Sequence, residues 1–195
     1  MPLVLNVNTA PVAWPIDNTA CKTHMRITHA NDDTYITALA KAAILDFETA
    51  THRQLITATY DLYMDDFPYE ELEVPRPPLQ SIESVKYQDG DDAQQTVTSS
   101  VYDADLISTP GRLYLDYNQT WPSDTRGHYN DVVVQFKAGY GDASTDVPED
   151  ILQALMMMVS HWYLNREPVV VGTVARDIPM TAQRIINHYR WEYVH

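Results

Sequence analysis

The feature that most constrains this chain is an all-β stretch set between two helical ones and entered through prolines. Val74-Pro75-Arg76-Pro77-Pro78-Leu79 leads directly into Gln80-Ser81-Ile82-Glu83-Ser84-Val85-Lys86-Tyr87. Proline fixes φ and has no N–H to give a ladder, so the run suits a sheet edge or a strand entrance. Upstream, Thr57, Thr59, Asp61 and Tyr63 alternate with Ala58, Tyr60, Leu62 and Met64. That period of two, rich in Thr and Tyr, predicts β structure beginning at Gln54. Further strands are expected over 82–87, 95–101, 112–116 and 131–138. Asp89-Gly90-Asp91-Asp92 and Pro110-Gly111 supply turns between them, and a longer polar loop precedes the last.

The flanks read differently. Residues 1–15 carry three prolines and read as an extended arm. Asp17 is a good N-cap for a short helix over 18–26. Ile36, Leu39, Ala40, Ala43, Ile44 and Phe47 recur at helical spacing and predict a helix over 33–52, acidic at its start and basic at its end. Val147-Pro148-Glu149-Asp150 opens another helix, expected to reach Arg166. Ile151, Leu155, Met158 and Trp162 form one apolar stripe there, and Leu152, Met156, Val159 and Tyr163 a second. Such a helix is central, packed against more than one neighbour. A last helix is expected over 181–190. The fold class is therefore α+β, a small helical bundle with an inserted antiparallel β subdomain. The expected segments are 1–53 (arm and bundle helices), 54–146 (β-rich insertion) and 147–195 (bundle helices and C-terminal tail).

Charge narrows the function. With 27 acidic against 13 basic residues the net charge is −14, which repels nucleic-acid backbones and disfavours sequence-reading DNA binding. The one cysteine, Cys21, cannot form an intramolecular disulfide and fits a reducing compartment. No apolar run approaches the roughly 18 residues that span a bilayer, and the N-terminus lacks the basic region of a signal peptide.

The chain has no HExxH, GxSxG, Cys/His cluster or DxDxDG loop. His24 and His29 are poorly spaced for a metal. Asp89-Gly90-Asp91-Asp92 reads as a solvated hairpin turn and Cys21 as a small buried apolar residue. Gly139-Tyr140-Gly141 lacks the Lys and Ser/Thr of a phosphate loop and reads as a turn. No catalytic residue, metal ligand or cofactor is expected, and the protein is read as a non-enzyme. The alternative from another class is a hydrolase or small-ligand-binding enzyme with a site built from scattered residues.

What remains conspicuous is interface-type chemistry. His161-Trp162-Tyr163-Leu164-Asn165-Arg166-Glu167 brings together residue types that dominate protein–protein hot spots. Val169-Val170-Val171 is costly to expose unless something covers it. Met157, between the two stripes, is placed to face a neighbouring subunit. Tyr189, Arg190, Trp191 and Tyr193 end the chain with large contact area and little rotamer entropy to lose. The interface candidates are thus Trp162, Arg166, Val169, Val170, Val171, Tyr189, Arg190, Trp191 and Tyr193. The C-terminal end, about residues 181–195, is expected to be flexible alone and ordered on docking; the alternative is that Trp191 folds back onto the bundle.

Four blocks together resemble the head–tail connector, or adaptor, proteins of long-tailed bacteriophages and gene-transfer particles. They are residues 15–27; Leu55-Ile56-Thr57 with Arg76-Pro77-Pro78-Leu79; Ala138-Gly139-Tyr140-Gly141 with Val147-Pro148; and residues 161–167. The resemblance covers about residues 11–190. It implies a small helical bundle carrying a β-rich insertion, and copies joined in a ring, typically of twelve. The partners it implies are the portal protein, neighbouring adaptor subunits and a tail-completion or stopper protein. DNA passes without sequence-specific binding and no membrane is involved. The implied place is the virion neck, after synthesis in the host bacterial cytoplasm. The polar loop over 117–130 departs from that family's pattern.

Overall fold

The computed structural model describes residues 3–165, 169–170, 173–174 and 178–191. The chain divides into two compact units, one built from residues 1–12 and 57–140 and the other from 13–56 and 141–195.

The first unit is β. Its five-stranded antiparallel sheet has the order β1-β2-β8-β4-β5, with β1 Val4–Thr9, β2 Ala58–Met64, β8 Val132–Ala138, β4 Leu79–Gln88 and β5 Gln94–Thr96. A second sheet runs β3-β7-β6, with β3 Glu71–Glu73, β7 Arg112–Leu115 and β6 Tyr102–Asp105. The alternation seen in the sequence sets the faces. Ala58, Tyr60, Leu62 and Met64 are buried, as are Val132, Val134, Phe136 and Ala138 opposite them. Tyr60 and Phe136, directly paired, stack with centroids 5.5 Å apart. At roughly 25 cal/mol per Å² of apolar area, these two central strands supply much of the unit's stability.

Several expectations change here. The N-terminal arm is a strand: Val4 pairs with Tyr63 and Asn6 with Asp61. Residues 1–12 therefore group with the β unit, not with residues 13–53. Strand β2 starts at Ala58 rather than Gln54, because Gln54 is tied to the bundle. Its buried amide donates to Glu48 Oε1 and to the Ile56 carbonyl, both over 3.0 Å. The strand expected over 95–101 stops at Thr96; Val97 is buried and the chain then turns, with Val101 N–H donating to Thr98. Two short strands, β3 and β6, were not expected at all. The proline run is a bend in which Arg76 takes φ 62°, and β4 begins directly after it.

The second unit is helical. It contains α1 Asn18–Met25, α2 Asp33–Thr51, a 3₁₀ turn Ser144–Asp146, α3 Glu149–Leu164, a two-stranded pairing of β9 Val169–Val170 with β10 Thr173–Val174, and α4 Met180–Tyr189. Asp17 caps α1 as expected, its carboxylate accepting from Ala20 N–H over 2.7 Å. Arg26 closes α1 in the left-handed conformation, and Ile27 N–H reaches back to the Lys22 carbonyl. Helix α3 packs against α1, α2 and α4. Its two predicted stripes merge into one buried face of Ile151, Ala154, Leu155, Met158 and Val159. Leu152, Met156, Met157, Trp162 and Tyr163 stay half-buried.

Candidate interface surfaces

The C-terminal end of α3 presents Trp162 half-buried and Leu164 exposed. Tyr163 is held inward: its hydroxyl donates to Asp32 Oδ2 over 2.5 Å and its ring lies 6.2 Å from that of Tyr35. Asn165 donates to the His161 carbonyl over 2.8 Å and closes the helix end. Arg166, Val171 and Tyr193 lie outside the described residues. Val169 and Val170 form β9, pairing with Val174 and Thr173.

The end of α4 forms a second cluster. Tyr189 donates its hydroxyl to Asp150 Oδ1 over 3.0 Å, and its carbonyl accepts from Arg53 Nε over 2.6 Å. The Arg53 guanidinium also sits 5.5 Å from the Tyr189 ring centroid, a cation–π distance. Trp191 is half-buried, and its N–H donates to the Thr51 carbonyl over 3.0 Å. The flexible tail expected from the sequence therefore does not include Tyr189 or Trp191, which serve to pin α4 against α2 and the start of α3. Arg190 between them is exposed. Trp162 lies twelve residues along α3 from Asp150, about 18 Å at 1.5 Å per residue. The candidate residues thus form two separate groups.

Sequence reasoning missed a third surface, on the β unit. Tyr69, Tyr117, Tyr129 and Ile107 are 82–96% exposed. The tyrosines lie on loops fastened to each other: Trp121 Nε1–H donates to the Pro68 carbonyl over 3.0 Å, and Asn130 N–H to Asp65 Oδ1 over 3.0 Å. The signal available was the aromatic content of a loop otherwise taken as polar. The β unit also holds most of the charge, with five Lys and Arg against 15 Asp and Glu, net −10 of the chain's −14.

The chemically tempting residues are absorbed by structure. Cys21 is 1% exposed, and burial, aided by the nearby Asp17 charge, pushes its thiol up to about 11, so it stays protonated near neutral pH. Asp89 accepts from Asp91 N–H, Ala93 N–H and Gln95, and so serves its own turn. Gln95 first, then Ala93, holds its carboxyl below the usual range. Among the described residues no three His, Cys, Asp or Glu are placed to hold a metal ion.

The chain is thus an α+β protein in which a helical unit is interrupted along the sequence by an acidic β unit. The chain belongs to the head completion protein family, whose sequence model matches residues 16–191. It is a structural head–tail connector. Solved structures agree in fold. A chain in the neck of an empty gene transfer agent particle, computed with C6 symmetry, superposes with a TM-score of 0.80 at 19% identity, covering 98% of this chain and 97% of that one. A chain in the virion of a native gene transfer agent particle gives the same values. A third, from a native particle's neck computed with C12 symmetry, gives 0.71 at 20% identity over 98% and 97%. No curated protein matches the chain.

Proposed function

We propose that copies of this chain form a ring in the virion neck, joined to the portal protein on one side and to a tail-completion or stopper protein on the other. The family match over residues 16–191 carries the reading. The near-complete coverage of chains from necks computed with C6 and C12 symmetry supports a cyclic, twelve-fold arrangement. The protein works without catalysis, as a coupling through which DNA passes. Its acidic balance suits that role. Acidic or neutral side chains line the channel, because a basic wall would hold a polyanion in a salt-dependent way.

The candidate residues take roles in this reading. Trp162, Arg166 and the Val169-Val170-Val171 segment face a neighbouring subunit. Arg190 and Tyr193, with the exposed edges of Tyr189 and Trp191, face the portal.

The test is a particle-forming system from which this chain is removed. Filled heads and free tails that fail to join, and that join when the purified chain is added back, are expected. Normal joining without the chain refutes the function. A map of the neck showing a continuous Lys/Arg belt on the channel wall refutes the proposed lining.

A further inference from the structure

The three-stranded sheet of the β unit has one face turned inward, through Leu72 and Leu113, both buried. The register sets the other face. Glu71 pairs with Tyr114 and Tyr114 with Asp103; Glu73 pairs with Arg112 and Arg112 with Asp105. Side chains two apart on a strand share a face, so four carboxylates stand around a single guanidinium. Arg112 is already engaged by Glu71 and Asp105. Beside this face lies an open groove of about 670 Å³, edged by Leu106 and Ile107. These two apolar side chains are 46% and 95% exposed.

Helix α4 has the complementary character. From Ile178 to Trp191 the sequence contains no Asp or Glu, in a chain with 27 of them. Ala182 and Ile186 are buried and fix which side faces the bundle. Met180, Arg184 and His188, spaced four apart, form one exposed stripe on the other side. Met180 is 90% exposed. Among the described residues no ion pair involves Arg184.

We propose that the Met180–Arg184–His188 stripe of one copy docks on the acidic sheet face of the next copy and forms part of the seam of the ring, in addition to the neighbour contacts assigned above. The inference rests on the connector reading and names the surfaces that close it. A ring needs a heterologous contact, in which two different patches of one chain complement each other. Arg184 meets the carboxylates of β3 and β6 while Met180 covers Leu106 and Ile107. Charge also excludes the wrong pairing, because two acidic faces repel each other.

The test uses particles assembled with full-length chain, with copies per particle as the readout. Arg184→Glu alone, and Glu71→Lys with Asp103→Lys, each lower occupancy about tenfold, as loss of a complementary charge contact does. Combining the three substitutions restores it to within about twofold. Arg184→Lys keeps the charge and keeps occupancy. Each variant's purified melting temperature is measured; Glu71→Lys gives up an exposed ion pair with Arg112, worth about 1 kcal/mol or less, so the fold is kept. If the parent chain is present in particles but the reversals leave its occupancy unchanged, the seam is wrong and the connector reading stands. A combined variant as poor as the single ones also overturns the seam. If the parent chain is absent from particles, the connector reading itself fails, and the seam with it.

Discussion

Trp121 lies flat on Phe67, with ring centroids 4.8 Å apart and planes 4° from parallel. Tyr102 continues the stack from Trp121 at 6.3 Å, and Tyr87 meets Phe67 edge-on at 5.6 Å. The long loop between β7 and β8 is therefore anchored at its middle by an aromatic pile, with the indole N–H satisfied by Pro68. Long ordered loops need such internal packing. Trp121→Ala removes the stack and one hydrogen bond, and should lower stability by about 2–3 kcal/mol. Amide exchange over 116–131 should rise more than exchange in β2 or β8. Uniform exchange across the unit would show that the loop is held by something else.

Gly141 sits against Asp146. A Cβ at position 141 would lie 2.2 Å from Asp146 Oδ2 and 2.5 Å from its Cβ. Asp146 cannot easily withdraw, since its carboxylate accepts from Ala143 N–H over 2.9 Å and so shapes the 3₁₀ turn before α3. Gly141→Ala should cost about 1–3 kcal/mol by overpacking. Asp146→Gly in the same chain removes both the carboxylate and the Cβ that a side chain at 141 would meet, so the double variant should be more stable than the sum of the two single losses predicts. Simple additivity in denaturant melts would show that the close approach is not what requires glycine.

Asp131 is a buried carboxylate, 1% exposed, gripped by its surroundings. Its oxygens accept from His128 N–H and from Arg126 Nη2, each over 2.5 Å. Arg126 also contacts Asp92. Burial pushes the Asp131 carboxyl up, but the His128 N–H and the Arg126 guanidinium outweigh it and hold the group below the usual range. The Ser108 hydroxyl and nearby backbone N–H groups lower Asp105 as well, and the Lys22 ammonium lowers Asp33. For a depressed carboxyl, the stabilising contribution is present above the unfolded value, near 4, and is lost as pH falls through the folded one. The melting temperature should therefore fall as pH drops below about 4. Asp131→Asn should be less stable at pH 7 and show a shallower acid decline. An unchanged slope would mean that Asp131 does not carry this linkage.

The parts legible in the sequence are those with strong local periodicity. Helix α2 and strands β2 and β8 each announce a buried face in their own residues, as Ile36 to Phe47 and Ala58 to Met64 do. The missed elements are fixed by partners far along the chain. Glu71–Glu73 has one apolar residue, and becomes a strand because Leu72 pairs with Leu113. Val4–Thr9 lies among prolines and becomes one because β2 offers an open edge. The site was legible only as residue types. Tyr189 and Trp191 look like free interface aromatics until the positions of Asp150, Arg53 and Thr51 are known. The exposed tyrosines at 69, 117 and 129 stayed unnoticed because loop exposure depends on the tertiary anchor supplied by Trp121.

The end of the chain separates anchoring from docking. Tyr189 and Trp191 hold α4 in place through Asp150, Arg53 and Thr51, whereas Arg190 between them is exposed. Tyr189→Ala removes a hydrogen bond and a cation–π contact together, and should lower stability by about 1–2 kcal/mol. Deleting residues 191–195 removes the Trp191 anchor and should lower the melting temperature as well. Deleting only 192–195 keeps every one of these contacts and should leave the melting temperature unchanged. If the tail docks on the portal, that shorter deletion, or Arg190→Glu, weakens portal binding in a pull-down at unchanged stability. Portal binding that follows the melting temperature across all four variants would assign the whole segment to the fold of the bundle and none of it to docking.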